Sequence, residues 1–215
     1  MRKTFKITLF GPQGSGKGTQ AEMLGERYGV PILAVGDILR KEVKNQTEVG
    51  KLAASLINRG KLIPDEIVNK IIFSELTQDK YKNGFILDGY PRSMNQLEIL
   101  EKSINLTQAI ELMVSDGEVI KRLGGRRICS NCGAIYHIES KPPKKEGACD
   151  VCGKKLIVRE DDESEAIKRR LAIYHQETEP ILNYYFERKK LIRVNGEQPI
   201  ERVFEDIVKA LEKEN

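Results

Sequence analysis

The chain has 215 residues, of which 40% are hydrophobic and 32% are charged, and its formal net charge is +4. This composition is too apolar for a disordered chain, and its apolar runs fall well short of the roughly 20 residues that span a bilayer. The apolar run behind the basic N-terminus leads into a glycine-rich stretch without a cleavage signal. We therefore expect a globular cytoplasmic protein without a membrane partner.

The first predicted elements are a strand, a glycine loop and a helix. Thr4 to Phe10 is rich in β-forming residues and runs directly into Gly11 to Gly16. From Lys17 onward apolar residues recur with helical spacing, until Gly29 stops the pattern. The pattern indicates that the loop connects the carboxyl end of a strand to the N-terminus of a helix.

The same alternation continues along the chain. Further strands are predicted at Ile32–Val35, Phe85–Leu87, Ala109–Val114 and Leu191–Val194. Further helices are predicted at Asp65–Leu76, Asn95–Lys102, Gly117–Leu123, Ser164–Arg188 and Pro199–Lys213. Alternating strands and helices predict an α/β fold with a doubly wound parallel sheet of about five strands, whose ligands lie at the carboxyl ends of the strands.

Two stretches interrupt the alternation and divide the chain. We assign the core to residues 1–33, 64–124 and 163–215. Residues 34–63, the helical insert, contain only helical patterns, at Asp37–Lys44 and about Thr47–Arg59. Residues 125–162, the cysteine lobe, have little periodicity and contain all four cysteines.

The glycine loop has the spacing of a phosphate-binding loop. Gly11, Gly16 and Lys17 fit this pattern, in which backbone N–H groups and the helix N-terminus face an anion and the lysine reaches its phosphates. An ordinary glycine turn with an exposed lysine is the alternative interpretation. Gly18 follows Lys17 where most such loops have a hydroxyl that binds magnesium, and Thr19 comes one position later.

Asp88 is the candidate carboxylate for such a metal. It ends the apolar run Phe85–Leu87, which predicts a position at the carboxyl end of a core strand beside the phosphate loop. There an aspartate orients the water molecules around Mg²⁺. The alternative is a turn-forming residue before Gly89.

The four cysteines form two closely spaced pairs. Cys129 and Cys132 make the first pair, and Cys149 and Cys152 make the second. This spacing is typical of a four-thiolate zinc site, which leaves the metal no open position and is therefore structural. Two disulfides or four unrelated thiols are the alternatives.

Arginines lie at the ends of predicted elements, where guanidinium groups can converge on phosphates. They are Arg40, Arg92, Arg122, Arg126, Arg127, Arg159, Arg169 and Arg170. For any one of them, a solvated helix face or a surface salt bridge is the simpler interpretation. Asp161 and Asp162 are interpreted first as acidic residues at the start of the next helix.

Taken together, these motifs resemble the adenylate kinases in order and spacing over essentially the whole chain. The segments that carry the resemblance are Gly11 to Gln20, Gly36 to Arg40, Asp88 to Arg92 with Gln96, Gly125 to Arg127, and Arg159 to Asp162. The four-cysteine segment is similar to the zinc-containing lid of many bacterial members. The resemblance implies that the helical insert binds the nucleoside monophosphate and that the cysteine lobe closes over ATP.

The resemblance also implies a role for each matching residue. ATP would be bound by Gly14, Ser15, Gly16, Lys17, Gly18, Thr19, Arg122 and Arg126. AMP would be bound by Val35, Arg40, Gly89, Arg92, Gln96, Arg159 and Arg170. Catalysis would involve Lys17, Asp88, Arg92, Arg126, Arg159 and Arg170. The implied reaction is reversible, Mg²⁺-dependent, in-line transfer of the γ-phosphoryl group of ATP to AMP, which gives two ADP.

Val35 departs from the family pattern, in which a threonine precedes Gly36 and Asp37. Valine keeps the shape of threonine but lacks its hydroxyl, so one contact to the base is expected to be lost. Gln96 still favours AMP, because its amide can donate to one group on the adenine edge and accept from another.

Two other functions compete with this interpretation. One is a kinase specific for UMP or CMP, which a panel of acceptors distinguishes. The other is a phosphate-loop protein whose cysteine lobe binds nucleic acid. That lobe has eight basic and six acidic residues, and zinc with four thiolates contributes a charge of −2, so it is close to neutral and unsuited to nucleic acid. We expect a monomer that carries one Zn²⁺ and binds ATP, AMP and ADP.

Overall fold

The structure is a computed structural model, and it describes residues 5–57, 59, 61–159 and 162–213. Four residues that fall within the predicted elements and motifs above, Thr4, Asn58, Glu160 and Asp161, lie outside the described residues.

Helices and strands alternate along most of the described chain. The helices are α1 (Lys17–Tyr28), α2 (Val35–Lys44), α3 (Glu48–Ile57), α4 (Asp65–Leu76), α5 (Met94–Ser103), α6 (Asp116–Gly125), α7 (Ser164–Ile173), α8 (Glu179–Glu187) and α9 (Ile200–Lys213). The strands are β1 (Phe5–Phe10), β2 (Ile32–Ala34), β3 (Gly84–Asp88), β4 (Gln108–Met113), β5 (Arg126–Cys129), β6 (Ile135–His137), β7 (Leu156–Ile157) and β8 (Leu191–Asn195). None of the described helices is both long enough and apolar enough to cross a membrane.

Five strands form one parallel sheet in the order β2-β3-β1-β4-β8. The predicted fold class is therefore confirmed. Strands β1 and β3 are neighbours, and their register places Leu9 opposite Asp88. Because parallel strands end at the same edge, the glycine loop after β1 and the carboxylate at the end of β3 are brought side by side.

The sheet is buried on both faces. In β3, Phe85 and Leu87 pack into an apolar cluster on one face, whereas Ile86 packs into a second cluster on the other. Alternate side chains of a strand point to opposite faces, so a continuous apolar run is what a sheet covered on both sides requires.

The helical insert contains α2 and α3, and the strand before it is one residue shorter than predicted. Val35 was expected to end the strand, but it is the first residue of α2. Its side chain is 4% exposed and packs with Leu39 and Ala53 of the insert. Tertiary packing thus overrides the preference of valine for a strand.

The helix predicted over Ser164–Arg188 is interrupted. It consists of α7, a wider π-helical turn at Tyr174–Thr178, and α8. Pro180 stands in the first turn of α8, where its missing N–H costs no hydrogen bond within the helix. The proline therefore marks the start of a new helix, which the apolar spacing alone does not reveal.

The cysteine lobe contains strands that the sequence analysis did not predict. Strands β6, β5 and β7 form a small antiparallel sheet in that order. They have two to four residues each, which is too short for an alternating pattern to be recognised in the sequence.

Candidate active site

The glycine loop takes the conformation that its residues allow. Gly14 and Gly16 have φ of 77° and 95°, in the left-handed region that favours glycine. Helix α1 follows with no side-chain cap and no acidic residue in its first turn. Its first N–H groups thus remain available to an anion, whose charge the helix dipole favours.

Lys17 lies over this loop. Its Nζ donates hydrogen bonds to the carbonyl oxygens of Gly11 and Pro12, both at 2.7 Å, and to Oγ of Ser15 at 3.3 Å. Burial lowers the pKa of Lys17 to about 7, although the nearby charge of Asp88 opposes this shift. An anion bound at the loop would favour the charged form of Lys17.

Asp88 lies at the carboxyl end of β3, as predicted from the sequence. Its Oδ2 is 3.6 Å from the position that a Cβ on Gly18 would occupy, so the carboxylate faces the first turn of α1. Burial raises the pKa of Asp88, and the charge of Lys17 opposes this effect. The site thus pairs a partly desolvated carboxylate with a lysine next to the anion-binding loop.

A single cleft of about 1300 Å³ collects most of the predicted side chains. It is bounded by the core, the helical insert and the cysteine lobe. Its lining includes Gly14, Ser15, Gly16, Lys17, Gly18, Thr19, Val35, Arg40, Asp88, Gly89, Arg92, Gln96, Arg122, Arg126, Arg159 and Arg170. Six of the predicted arginines and Lys17 therefore face the same space, an arrangement suited to ligands with several phosphate groups.

Two of the predicted arginines lie outside this lining. Arg127 donates to the carbonyl oxygens of Gly124 and Arg126, at 3.2 and 2.8 Å. Arg169 donates to the carbonyl oxygen of Arg59 at 2.5 Å. For these two residues a structural role is the better interpretation: Arg127 contacts neighbouring backbone, and Arg169 contacts the helical insert.

Arg126 and Arg170 meet at a carboxylate whose role the sequence analysis missed. The side chain of Asp162 is fully buried, accepts a hydrogen bond from Nε of Arg126 at 2.7 Å, and lies 3.8 Å from Arg170. Asp162 was expected to serve the start of α7, but that helix begins at Ser164 with Glu163 as its N-cap. The sequence offered no local signal for this contact, because Arg126 lies 36 positions away.

Arg122 lies on α6, just before the cysteine lobe. Its Nε donates to Glu118 at 2.8 Å, and a second nitrogen donates to the carbonyl oxygen of Gly196 at 2.9 Å. Glu118 is one helical turn earlier, so the pair has the spacing of an i,i+4 salt bridge. These contacts hold the guanidinium at the rim of the cleft, beside the loop that follows β8.

On the opposite side of the cleft, Arg40 forms an ion pair with Asp37. Arg92 donates from Nε to the carbonyl oxygen of Gly89 at 2.8 Å. Gly89 has a φ of 78°, and a Cβ there would lie 2.7 Å from the Arg92 guanidinium. A side chain at position 89 would therefore displace Arg92 as well as strain the backbone.

Gln96 is almost fully buried at the same side of the cleft, with 2% exposure. Its Oε1 accepts from the backbone N–H of Arg92 at 2.8 Å, and its Nε2 donates to Asp65 at 2.6 Å. Each end of the amide therefore has one hydrogen bond within the protein. One N–H of Nε2 and one lone pair of Oε1 therefore remain available to a ligand.

The four cysteines converge in the cysteine lobe. Their sulfur atoms lie within 4.8 Å of one another, and three of the pairs are 3.4, 3.5 and 3.6 Å apart. All four are free cysteines, so the disulfide alternative is wrong. The hydroxyl of Tyr136 contacts Sγ of Cys149, and this hydrogen bond lowers the pKa of Cys149 to about 6. The group can therefore hold a metal ion that binds thiolates.

Comparison with known proteins places the chain among nucleotide-dependent kinases. The family model described as adenylate kinase matches residues 9–190. An adenylate kinase of Caldicellulosiruptor saccharolyticus is 45% identical over 211 residues, which cover 96% of this chain and 98% of that protein. Those of Lachnospira eligens and Streptomyces avermitilis are 43% and 42% identical, with 96% and 98% of this chain and 99% and 98% of the relatives covered.

Proposed function

Because this chain belongs to the adenylate kinase family and is an adenylate kinase enzyme, we propose that it transfers the γ-phosphoryl group of ATP to AMP by direct, Mg²⁺-dependent, in-line transfer. The observation that carries this mechanism is the cleft, in which six arginines and Lys17 face one space beside the carboxylate of Asp88. Such a transfer needs no protein nucleophile. It needs two anionic substrates held in line and cations around the group in transit.

The donor occupies the side of the cleft formed by the glycine loop. The backbone N–H groups from Gly14 to Thr19 and the N-terminus of α1 bind its phosphates. Lys17 exchanges its contacts with the loop carbonyl groups for contacts with phosphate oxygens, which keeps its amine charged at neutral pH. Arg122 and Arg126 bind the donor from α6 and from the start of the cysteine lobe.

The acceptor occupies the side formed by the helical insert and the segment after β3. Arg40, Arg92 and Arg170 bind the phosphate of AMP, and Arg159 joins Arg170 around the transferred group. Gln96 hydrogen-bonds the base with the N–H and the lone pair that its contacts with the protein leave available. Arg40, Arg92 and Arg170 exchange their contacts with oxygen atoms of Asp37, Gly89 and Asp162 for contacts with phosphate oxygens.

Asp88 is the residue that fits a magnesium ion. Its carboxylate lies next to the first turn of α1, where the phosphates of the donor are bound, and it orients the water ligands of the ion. An Mg²⁺ ion held there would neutralise negative charge on the phosphate groups during transfer. Thr19 and Ser15 also line this side of the cleft and supply hydroxyl groups.

The cysteine lobe fits one structural zinc ion. A tetrahedral site with Zn–S bonds of about 2.3 Å would separate its sulfur atoms by about 3.8 Å, and three of the sulfur pairs here are separated by 3.4 to 3.6 Å. Cys129, Cys132, Cys149 and Cys152 would occupy all four positions. The ion therefore stabilises the lobe that covers the donor, and closure of the lobe excludes water that would otherwise hydrolyse ATP.

A coupled assay of ATP with AMP, UMP or CMP tests the reaction and the acceptor together. We expect AMP to be the best acceptor and two ADP to form for each AMP consumed. A preference for UMP or CMP, which the missing hydroxyl at Val35 would favour, overturns the assignment of the acceptor. ATP hydrolysis that is independent of any acceptor overturns the proposed transfer.

Two matched arginine variants test the roles of residues in the cleft. Arg92→Ala should lower kcat/KM by about 100-fold or more and leave the melting temperature nearly unchanged, because a charge-assisted bond to phosphate matters only with substrate bound. Arg127→Ala, outside the lining of the cleft, should retain activity within about threefold. Equal losses in both variants contradict the assigned roles.

A further inference from the structure

Asp65, the first residue of α4, accepts hydrogen bonds from several side chains of one segment of the active site. Its Oδ2 accepts from Oγ of Ser93 at 2.7 Å and from Nδ2 of Asn95 at 3.0 Å. Its Oδ1 accepts from Nε2 of Gln96 at 2.6 Å. Three donors from four consecutive residues thus converge on one carboxylate, which lies about 30 positions earlier in the sequence.

The contact with Gln96 determines which way its amide faces. The opposite end of that amide, Oε1, accepts from the backbone N–H of Arg92. An amide between an N–H donor and a carboxylate satisfies both neighbours in only one of its two orientations. Asp65 and Arg92 together therefore direct the free N–H and the free lone pair of Gln96 toward the cleft.

The next turn of α4 also holds the segment before Gln96. Asn69, one turn after Asp65, accepts a hydrogen bond from the hydroxyl of Tyr90 at 2.7 Å. The hydroxyl of Thr178 donates to the carbonyl oxygen of Arg92 at 2.9 Å. The backbone of Arg92 is thus held at both its N–H and its carbonyl group, and the N–H contact depends on the orientation of Gln96.

We propose that Asp65 is a positioning residue for acceptor recognition: through its hydrogen bond to Gln96, it orients the amide that reads the base of the monophosphate. Asp65 follows directly on the helical insert, so it also links the end of the insert to the acceptor site. This inference rests on the proposed function, because it assumes that Gln96 contacts the base of the acceptor.

The central test is Asp65→Asn, which preserves shape but leaves one acceptor oxygen for three donors. We expect the KM for AMP to rise about tenfold, with kcat and the KM for ATP each within about threefold of the parent, because a base contact is uniform binding. We also expect the preference for AMP over CMP to fall. Glu66→Gln is the matched control, since it removes a carboxylate from the same first turn where Glu66 is exposed.

A double-mutant cycle separates positioning from a general structural role. If Asp65 acts through Gln96, adding Asp65→Asn to Gln96→Ala should change the KM for AMP by less than about twofold. Additive effects overturn the proposal. So does an equal effect of Glu66→Gln, or a parallel rise in the KM values for AMP and ATP.

A second variant and a second acceptor cover the cases in which Asp65→Asn or AMP is unsuitable. If Asp65→Asn does not fold, Asp65→Glu keeps the charge and moves the carboxylate by one methylene group, and the same selective rise in the KM for AMP is expected. If the parent prefers another monophosphate, the proposed acceptor is wrong, and the cycle is run with that acceptor. If the selectivity among monophosphates then changes in Asp65→Asn, the positioning role is still supported. If that selectivity does not change, the positioning role is overturned.

Discussion

The parallel sheet and the cysteine lobe are stabilised by different physical means. The sheet is covered on both faces by two large apolar clusters, which include fully buried side chains such as Ile86 and Tyr185. The buried cluster of the lobe has only four members, Cys129, Tyr136, Cys149 and Leu156, and two of these are proposed metal ligands. The sheet therefore depends on apolar burial, whereas the lobe would depend on the proposed metal.

This difference matters because both regions face the same cleft. The sheet supplies the glycine loop and Asp88, and the lobe supplies Arg126 and the side chains of Ile135 to His137. A region held by one ion can lose its structure without unfolding the rest of the chain.

Removal of the metal should have the largest effect, and it should be confined to the lobe. Structural zinc stabilises small metal-binding domains by about 10–16 kcal/mol in apparent terms. We expect about one zinc per chain by elemental analysis, and Cys149→Ser should abolish the protection of residues 126–137 against hydrogen exchange. Strand β1 should remain protected. Ser140→Ala, an exposed change in the same lobe, is the control, and persistent protection in metal-free protein contradicts the prediction.

Truncation of a core side chain should instead destabilise the parallel sheet. Ile86 is completely buried in β3 between two neighbouring strands, so Ile86→Ala should lower the free energy of unfolding by about 3–4 kcal/mol. Ile157→Ala makes the same chemical change in the lobe, where the side chain is 39% exposed, and should cost less than about 1 kcal/mol. Urea denaturation followed by circular dichroism measures both, and equal costs would show that the two regions do not differ.

Asp162→Asn tests the contact that joins the lobe to the helix after it. The buried carboxylate pairs with Arg126, at the start of the lobe, and faces Arg170 on α7. Loss of its charge should cost about 1–2 kcal/mol, because asparagine retains an acceptor oxygen and the side chains of Arg126 and Arg170 are partly exposed to solvent. Glu163→Gln, an exposed neighbour, should be nearly neutral. The prediction fails if urea denaturation gives both variants the same stability.

His175 should contribute a small, pH-dependent stabilisation near the first residue of α6. It lies 2.9 Å from Glu179 and 3.0 Å from Asp116, and these two carboxylates raise its pKa above the ordinary value of 6.5. A raised pKa in the folded state means that the stabilisation is complete below pH 6.5 and is lost as the pH rises through the folded-state pKa.

The contribution of His175 should be only about 0.5 kcal/mol, because the imidazole is 46% exposed to solvent. We expect His175→Gln to be less stable than the parent at pH 5.5 and equally stable once the pH exceeds the folded-state pKa of His175. Thermal melts in a series of buffers measure the difference. A difference in stability between the parent and His175→Gln that grows with increasing pH would have the opposite sign and would exclude this role.

Local patterns in the sequence predicted much of the fold. Each strand of the parallel sheet was located from its apolar run, with ends displaced by one residue in several cases. The phosphate loop was identified from its glycines, whose positive φ values are required by the turn itself. The convergence of the cysteines followed from two short spacings, since each pair needs only one tight turn.

Other features could not be predicted because they depend on non-local partners. The short strands of the cysteine lobe exist because they pair with one another. Helix α2 begins at Val35 because that side chain is buried in the insert. In each case tertiary contacts outweigh a weak local preference.

Local sequence patterns were enough to predict the fold class, the glycine loop, the thiolate cluster and a set of candidate arginines. The three-dimensional contacts were needed to show which arginines share the cleft, that Asp162 pairs with Arg126, and that Asp65 hydrogen-bonds Gln96. This difference follows from the range of the interactions. Backbone conformation and closely spaced ligands are encoded within a few residues, whereas the partner of a charged side chain is chosen by the packing of elements tens of residues apart.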